Sequence, residues 1–424
     1  MRFRTLFVLA VLLTGLPVLA QQTVQVAPTL ETQPTLGTGP VIQGAALWVH
    51  PTDPANSLLL VADNQTGLLL HNLDGSLRAQ VPEGAVQGVD VQDGVPVGGI
   101  SQTVVMVANT SLQGLVAYII EPTTLTIRRA GFGPILSQGF APNSVAMYVS
   151  PTTRRVFAFA GSATGVVVQF ELTAQADGGA AASPVRTFDV GDAVVGLAVD
   201  DAQGTLYVVE QNVGIWQYGA EPDDADARVS VAAVTGGGLA QPLGGVALYT
   251  ASGIRGYLLV VSGGENAVRV YERQPGAHTF RGSFTVVADG GIDAVDTPRQ
   301  VVVTNRPLGT VFPLGMVGVQ DSTNGAANEN FKLVSWPAIA TGFATPLVVD
   351  TGSGNGTDGG TPDAGTDGGI PRPVDTPPEG PAGQSPPGFN EDGPNCVCAS
   401  ASVPGTVLLA LLGALLLSRR RPGA

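Results

Sequence analysis

The sequence predicts an all-β fold, a six-bladed β-propeller, and three observations carry that prediction. Between residues 38 and 346, short runs rich in Val, Leu, Tyr and Phe are punctuated by Gly, Asn, Asp and Pro, the pattern of strands and turns. No sustained helical periodicity competes with it. One hairpin, a strand ending in small or polar residues followed by a turn and a second strand, occurs as "SLLLVADNQTGLLLHNLD", "TVVMVANTSLQGLVAYII", "RVFAFAGSATGVVVQFEL", "TLYVVEQNVGIWQYGAE", "GYLLVVSGGENAVRVYER" and "GMVGVQDSTNGAANENFKLVSW". The copies recur every ~45 to 60 residues, which suits a four-stranded propeller blade. A solenoid would use shorter repeats, and a β-sandwich would not repeat one hairpin six times.

Taken in chain order, the first segment is a processing signal. Arg2 and Arg4 precede an apolar run from Leu6 to Leu19, and Val18-Leu19-Ala20 supplies light residues at the cleavage positions. Cleavage is expected after Ala20, so the chain is exported and its mature form begins at Gln21. Residues 21–37 read as an N-terminal extension and 38–346 as the propeller. A propeller closes by sharing strands between its first and last blades, so residues 38–47 are expected to meet the segment ending near Ala340.

From 352 to 394 the composition shifts to Gly, Pro, Asp and Thr, as in "GSGNGTDGGTPDAGTDGG". Such a segment buries too little apolar surface to offset its ordering entropy and reads as a disordered linker. Its Asp-Gly pairs lack the strict period of calcium-binding repeats. Residues 395–424 hold both cysteines, Cys396 and Cys398, then "TVLLALLGALLLS" and Arg419 to Arg421. With the small residues before it, the apolar run reaches about 20 residues, a spanning length. The arginines would hold its end on the cytoplasmic side. Cysteines one residue apart are poorly placed to bridge each other. The Cys, hydrophobic helix and Arg cluster resemble the C-terminal sorting signals of myxobacterial surface proteins. That resemblance implies processing at the cysteines by a sorting protease and display at the cell surface or outer membrane. A plain membrane anchor is the alternative.

Charge narrows the partners. Only 13% of the 424 residues are charged and the net charge is −14. Phosphate backbones are bound by clustered Lys and Arg, so nucleic acid is excluded as a partner. Lys332 is the single lysine of the chain.

"LWVHPTDPANSLLLVADNQTGLLLHNLDG", "VDDAQGTLYVVEQNVGIWQYGAEPDD", "GYLLVVSGGENAVRVYER" and "VQDSTNGAANENFKLVSW" together resemble the β-propeller phytases (3-phytases), in order, over nearly all of 41–340. The resemblance implies a calcium-dependent phosphomonoesterase acting on inositol hexakisphosphate. In that chemistry carboxylates hold Ca²⁺ ions that neutralise the phosphate and activate water.

The resemblance also implies acidic residues before "WVHP", where this chain has Gln43, Gly44, Ala45 and Ala46. It implies glutamates at Val195, at Gln211 beside a retained Glu210, and at Gly244. It implies basic substrate contacts at Asn64, Gln92 and Ala163. Hard divalent cations depend on several anionic oxygens at once, so losses on this scale are expected to empty the central site. No catalytic residue is assigned. Asp293, Asp296 and Asp321 remain as candidates for one residual Ca²⁺, against the plainer reading that loop aspartates cap turns.

Weaker signals are read structurally. His50, His71 and His278 are not in metal-ligand spacing, and "DDADA" (223–227) lacks the later Gly and Glu of an EF-hand. Ser144 and Ser262 lack a nucleophile elbow. Two functions stay open: a phytase-like hydrolase of weak or absent activity, and a non-catalytic surface-displayed propeller that binds an inositol phosphate, another small molecule or a protein.

Overall fold

Each of the six hairpins forms the two middle strands of one antiparallel sheet. The computed structural model describes residues 23–350 apart from 98, 131–133, 138, 175–179, 275 and 277. Blade one uses Ile42–Trp48, Leu58–Asp63, Gly67–Asn72 and Leu77–Val81, from the channel outward. Blade two uses Val86–Val97, Ile100–Asn109, Gly114–Glu121 and Thr126–Arg129, and Ile135–Leu136 adds a short pairing to its third strand. Blade three uses Pro142–Val149, Val156–Ser162, Val166–Ala174 and Ala180–Asp189. Blade four uses Val194–Asp200, Thr205–Glu210, Gly214–Gly219 and Val229–Ala233. Blade five uses Leu243–Thr250, Gly256–Ser262, Ala267–Glu272 and Phe280–Val286. Blade six uses Val301–Thr304, Met316–Asp321 and Asn330–Ser335.

Blade six therefore lacks an outer strand of its own, and the N-terminus supplies it. Leu30–Glu31 pairs antiparallel with Leu333 and Lys332, and Thr23–Val26 pairs parallel with Ser283–Val286 on the edge of blade five. The closing strand thus lies upstream of 38–47, inside the segment read from sequence as an extension. Residues 38–47 meet blade six in another way: Glu329 Oε2 accepts the Val41 and Ile42 N–H groups at 2.8 and 2.7 Å. Edge strands left bare would template pairing with other chains, and the two N-terminal strands cover both.

The middle strands are buried on both faces because each blade packs on two neighbours, which makes them read as continuous apolar runs. Every residue of Leu58–Asp63, Val156–Ser162 and Gly256–Ser262 is buried. Trp48, Leu60, Val107 and Tyr118 join blades one and two, and Tyr148, Phe159, Phe188 and Val208 join three and four. Each such large apolar side chain contributes roughly 1.5–3 kcal/mol on burial. Trp336 stacks on Tyr249 at 4.1 Å between ring centroids and ties the last blade to the fifth.

The signal segment, the linker, Cys396, Cys398 and the C-terminal hydrophobic run lie outside the described residues. Among the described residues, no helix is long and apolar enough to cross a membrane.

Candidate functional site

The inner strands start at one end of the propeller, and the hairpin turns stand at that same end. Ile42 pairs with Asp63, Pro142 with Ser162, Val194 with Glu210 and Leu243 with Ser262. Each turn follows directly on these partners, so this end is a loop-bearing mouth. It opens on a small cavity of about 90 Å³ lined by Gln43, Asn143, Val195, Gln211, Pro242, Leu243, Gly244, Arg299 and Gln300. Four positions singled out in the sequence, Gln43, Val195, Gln211 and Gly244, are therefore brought together. Asn64 and Ala163 sit in hairpin turns at the same end.

Gln92 does not join them. It lies further along the inner strand of blade two, opposite Val104, and its Nε2 donates to Asp201 Oδ2 at 3.0 Å. There the channel widens into a cavity of about 240 Å³ walled by Ala45, Val91, Met147, Val199, Leu248 and Val303, with Asp90 and Gln92 as its polar lining.

Two of the neutral amides that line the mouth join blades. Gln300 Nε2 donates to Gln43 O at 2.7 Å, and Asn143 Nδ2 donates to Val194 O at 3.0 Å. Arg299, the single charged residue lining this cavity among the described residues, is held by Glu329. Its Nη2 donates to Glu329 Oε1 at 2.5 Å and to Ile42 O at 3.2 Å. Burial raises the Glu329 carboxyl above its ordinary value, against the backbone hydrogen bond from Ile42 and the nearby Arg299 charge.

Glu210, the acid retained next to Gln211, is also engaged. Its Oε1 accepts the Asp192 N–H at 2.9 Å and its Oε2 accepts Trp216 Nε1–H at 2.6 Å. Arg228 lies over the Trp216 ring at 3.8 Å and completes that cluster.

Gly244 has a steric reason to be glycine. A Cβ there would stand 2.3 Å from Arg299 O and 2.9 Å from its carbonyl carbon. Gly44 is similar: a Cβ added to it would stand 2.8 Å from Gly88 Cα. The inner strands approach backbone to backbone at the mouth, so no side chain fits at either position without displacing main chain.

Of the three candidate calcium ligands, Asp293 and Asp321 meet at Lys332 while the Asp296 side chain turns away. Asp296 Oδ1 accepts Asn266 Nδ2–H at 2.7 Å, facing blade five. Asp293 Oδ1 accepts a hydrogen bond from Lys332 Nζ, and Asp321 Oδ2 lies 3.4 Å from the same nitrogen. Asp321 Oδ1 accepts the Asp296 and Thr323 N–H groups at 2.9 and 3.2 Å, the turn-capping role expected of a loop aspartate. Calcium implied by the resemblance does not fit these residues, because an ammonium already stands among their oxygens. Among the described residues, no group of three or more His, Cys, Asp or Glu side chains is arranged to hold a metal ion.

The scaffold readings find specific contacts. His50 Nδ1 accepts the Thr52 and Asp53 N–H groups at 3.2 and 2.9 Å, which leaves Nε2 to donate to Pro122 O at 3.1 Å. His71 is buried, and desolvation lowers its pKa to about 4. In "DDADA", Asp224 Oδ2 accepts the Glu221 N–H and Asp226 Oδ1 accepts Arg186 Nε–H.

Sequence reasoning missed Arg299, Glu329 and Glu31, whose partners lie across the closure. It also missed Asp90 in the channel wall and Asp201, which accepts the Gln92 amide. Asp90 Oδ2 accepts the Met147 N–H at 2.6 Å and Asp201 Oδ1 accepts the Val149 N–H at 3.2 Å. Desolvation raises the Asp90 carboxyl to about 6 and the Asp201 carboxyl to about 7.

Fold and mouth together define a six-bladed propeller with a loop-bearing opening above a central channel. The family described as Phytase matches residues 5–353, most of the chain, and the chain belongs to that family. A curated relative, the 3-phytase of Bacillus subtilis (strain 168), is 28% identical over 317 residues, covering 72% of this chain and 83% of the relative. Among solved structures, Kuenenia stuttgartiensis hydrazine synthase superposes with a TM-score of 0.42 at 10% identity, covering 69% of this chain and 83% of that one. At that level the likeness bears on neither fold nor chemistry.

Proposed function

We propose that this protein is an exported phytase-family propeller that takes an inositol phosphate at its mouth but hydrolyses it weakly or not at all. One observation carries the reading: among the described residues, the charged side chains Arg299, Glu210 and Asp321 at or beside the mouth are already engaged by protein partners. Arg299 is held by Glu329, Glu210 by Trp216 and the Asp192 amide, and Asp321 by Lys332 and two backbone amides. Metal-assisted phosphoryl chemistry needs free carboxylates to place the metal and free cations to orient the phosphate, together and in register. The amides and glycine that line this mouth supply neither. A lysine- and arginine-poor opening also forgoes the charge-assisted bonds that hold a polyanion tightly.

A second reading, a non-catalytic propeller displayed at the surface that binds another small molecule, is favoured by the 240 Å³ channel cavity, where aliphatic side chains alternate with polar groups. Such a cavity suits an uncharged ligand. Phosphate release from inositol hexakisphosphate by the purified chain, with and without Ca²⁺, separates the alternatives. Little or no Ca²⁺-stimulated release is expected. Robust Ca²⁺-stimulated turnover that Asp321→Ala abolishes would overturn the proposal.

A further inference from the structure

The chain's single lysine sits where the resemblance pointed to a metal. Lys332 is 0% exposed. Its Nζ is 2.6 Å from Glu31 Oε2, 3.2 Å from Asn324 Oδ1 and 3.4 Å from Asp321 Oδ2, and it donates to Asp293 Oδ1. These oxygens come from four separate places. Glu31 lies on the closing N-terminal strand, Asp293 on the connection between blades five and six, Asp321 at the end of a middle strand, and Asn324 in the hairpin loop.

Three carboxylates and one amide carbonyl are the donor types of a hard divalent cation, but with the ammonium among them they are not arranged to hold a metal ion. An ammonium meets the same demand differently: it carries one charge and three N–H donors. The buried part of the cradle is balanced by that single charge, since Asp321 is also 0% exposed and is matched one to one by Lys332. The Glu31 and Asp293 side chains are 36% and 42% exposed, so water shares their charge. Burial alone would lower the Lys332 pKa, but the hydrogen bonds to Asp293 and Glu31 reverse this and hold it above the ordinary lysine value.

We infer that the Lys332 ammonium is the resident cation of this oxygen cradle, a built-in charge that holds the propeller's closure without calcium. A free ion stabilises only in proportion to its concentration over its dissociation constant. A cation tethered to the middle of blade six has no such dependence, and a chelator cannot remove it. The inference does not rest on weak hydrolysis: a calcium-independent closure is compatible with an active or an inactive mouth. It also predicts a latent site, because removing the ammonium leaves three carboxylates facing a void that a divalent cation can enter.

The test is thermal unfolding of the purified chain and of Lys332→Ala, each in EDTA and in a Ca²⁺ titration. The wild-type midpoint is expected to be the same in EDTA and in millimolar Ca²⁺. Lys332→Ala is expected to melt roughly 5–10 °C lower in EDTA. Calcium should then raise its midpoint in a saturable manner, with one equivalent bound by isothermal titration. A wild-type midpoint that falls in EDTA or rises with Ca²⁺ overturns the inference, as does a folded Lys332→Ala that Ca²⁺ does not stabilise. If Lys332→Ala does not fold, the wild-type comparison still decides, joined by acylation of the native chain with an amine-reactive reagent. Lys332 should stay unmodified until the chain is unfolded, with or without Ca²⁺. Ready modification of the native chain, or protection that requires Ca²⁺, overturns it.

Discussion

Arg299 and Glu329 close the ring from inside: Arg299 Nη2 donates to Glu329 Oε1 at 2.5 Å while Oε2 of the same carboxylate takes two amides of blade one. One glutamate therefore joins the start of the first blade to the last hairpin, across 287 and 288 positions in sequence. Its side chain is 2% exposed. Removing it leaves two buried N–H donors and a guanidinium without their acceptor, and breaking a buried pair from one side costs about 3–5 kcal/mol. Glu329→Ala should lower the denaturant midpoint by that measure, and Glu329→Gln, which keeps an acceptor, by clearly less.

Asp90 and Asp201 grip one strand edge from the blades on either side, through the Met147 and Val149 amides. Burial lifts both carboxyls, to about 6 and about 7 from an ordinary 3.8. An acid whose folded pKa is raised binds its proton more tightly when folded than when unfolded. The stability it contributes is present at low pH and is lost as pH rises from about 4 through 6 for Asp90 and through 7 for Asp201. Each tenfold gain in proton affinity is worth about 1.4 kcal/mol, reduced here because both side chains are partly exposed. The double variant Asp90→Asn, Asp201→Asn keeps oxygen acceptors and removes the titration. It should be more stable than wild type at pH 8 by on the order of 2 kcal/mol, with the difference shrinking toward pH 5 in urea titrations.

What is legible in the sequence follows from which residues are forced to be apolar. Strands such as Leu58–Asp63 and Gly256–Ser262 are sealed between two blades, so their runs announce the hairpin. The closing strand Leu30–Glu31 is two residues long and carries no period, so the sequence pattern points downstream of it for the closure. The neutral mouth is visible only through the resemblance, and its convergence at Gln43, Val195, Gln211 and Gly244 follows from strand register. Lys332 stands out as a lone lysine, but its role depends on Glu31, 301 positions away, and no local pattern carries that contact.

The N-terminal strands make a separate prediction. Val24 and Val26 pack into the cluster that holds Phe284, Trp336 and Ile339, and Glu31 is one of the Lys332 acceptors. A chain beginning at residue 33 exposes the edges of blades five and six and part of that cluster. It should elute as aggregate or as a broadened species in size-exclusion chromatography and lose its cooperative thermal transition. A chain beginning at Gln21 should be monodisperse and cooperative.

The mouth itself can be probed by restoring the acids that the resemblance places there. Val195 lines the cavity and is only partly buried, and Gln211 stands beside it, so glutamates at both positions have room to reach into the opening. Gly244 does not share that freedom, because any Cβ would stand 2.3 Å from Arg299 O, and the obstacle is main chain rather than a flexible side-chain end. Relief requires the inner strands of blades five and six to move apart, which breaks the 2.7 Å bond from Gly245 N–H to Arg299 O. It also disturbs the Arg299 contact with Glu329. Overpacking of this kind costs about 1–3 kcal/mol before the lost bonds are counted. Val195→Glu with Gln211→Glu should therefore unfold within about 1 kcal/mol of wild type and acquire measurable Ca²⁺ binding by isothermal titration. Gly244→Glu, alone or added to that pair, should fall by about 3 kcal/mol or more in urea without strengthening Ca²⁺ binding. A Gly244→Glu variant with wild-type stability and tighter Ca²⁺ binding would mean that the blades part readily at the mouth, and that its closeness is not what excludes a metal ligand there.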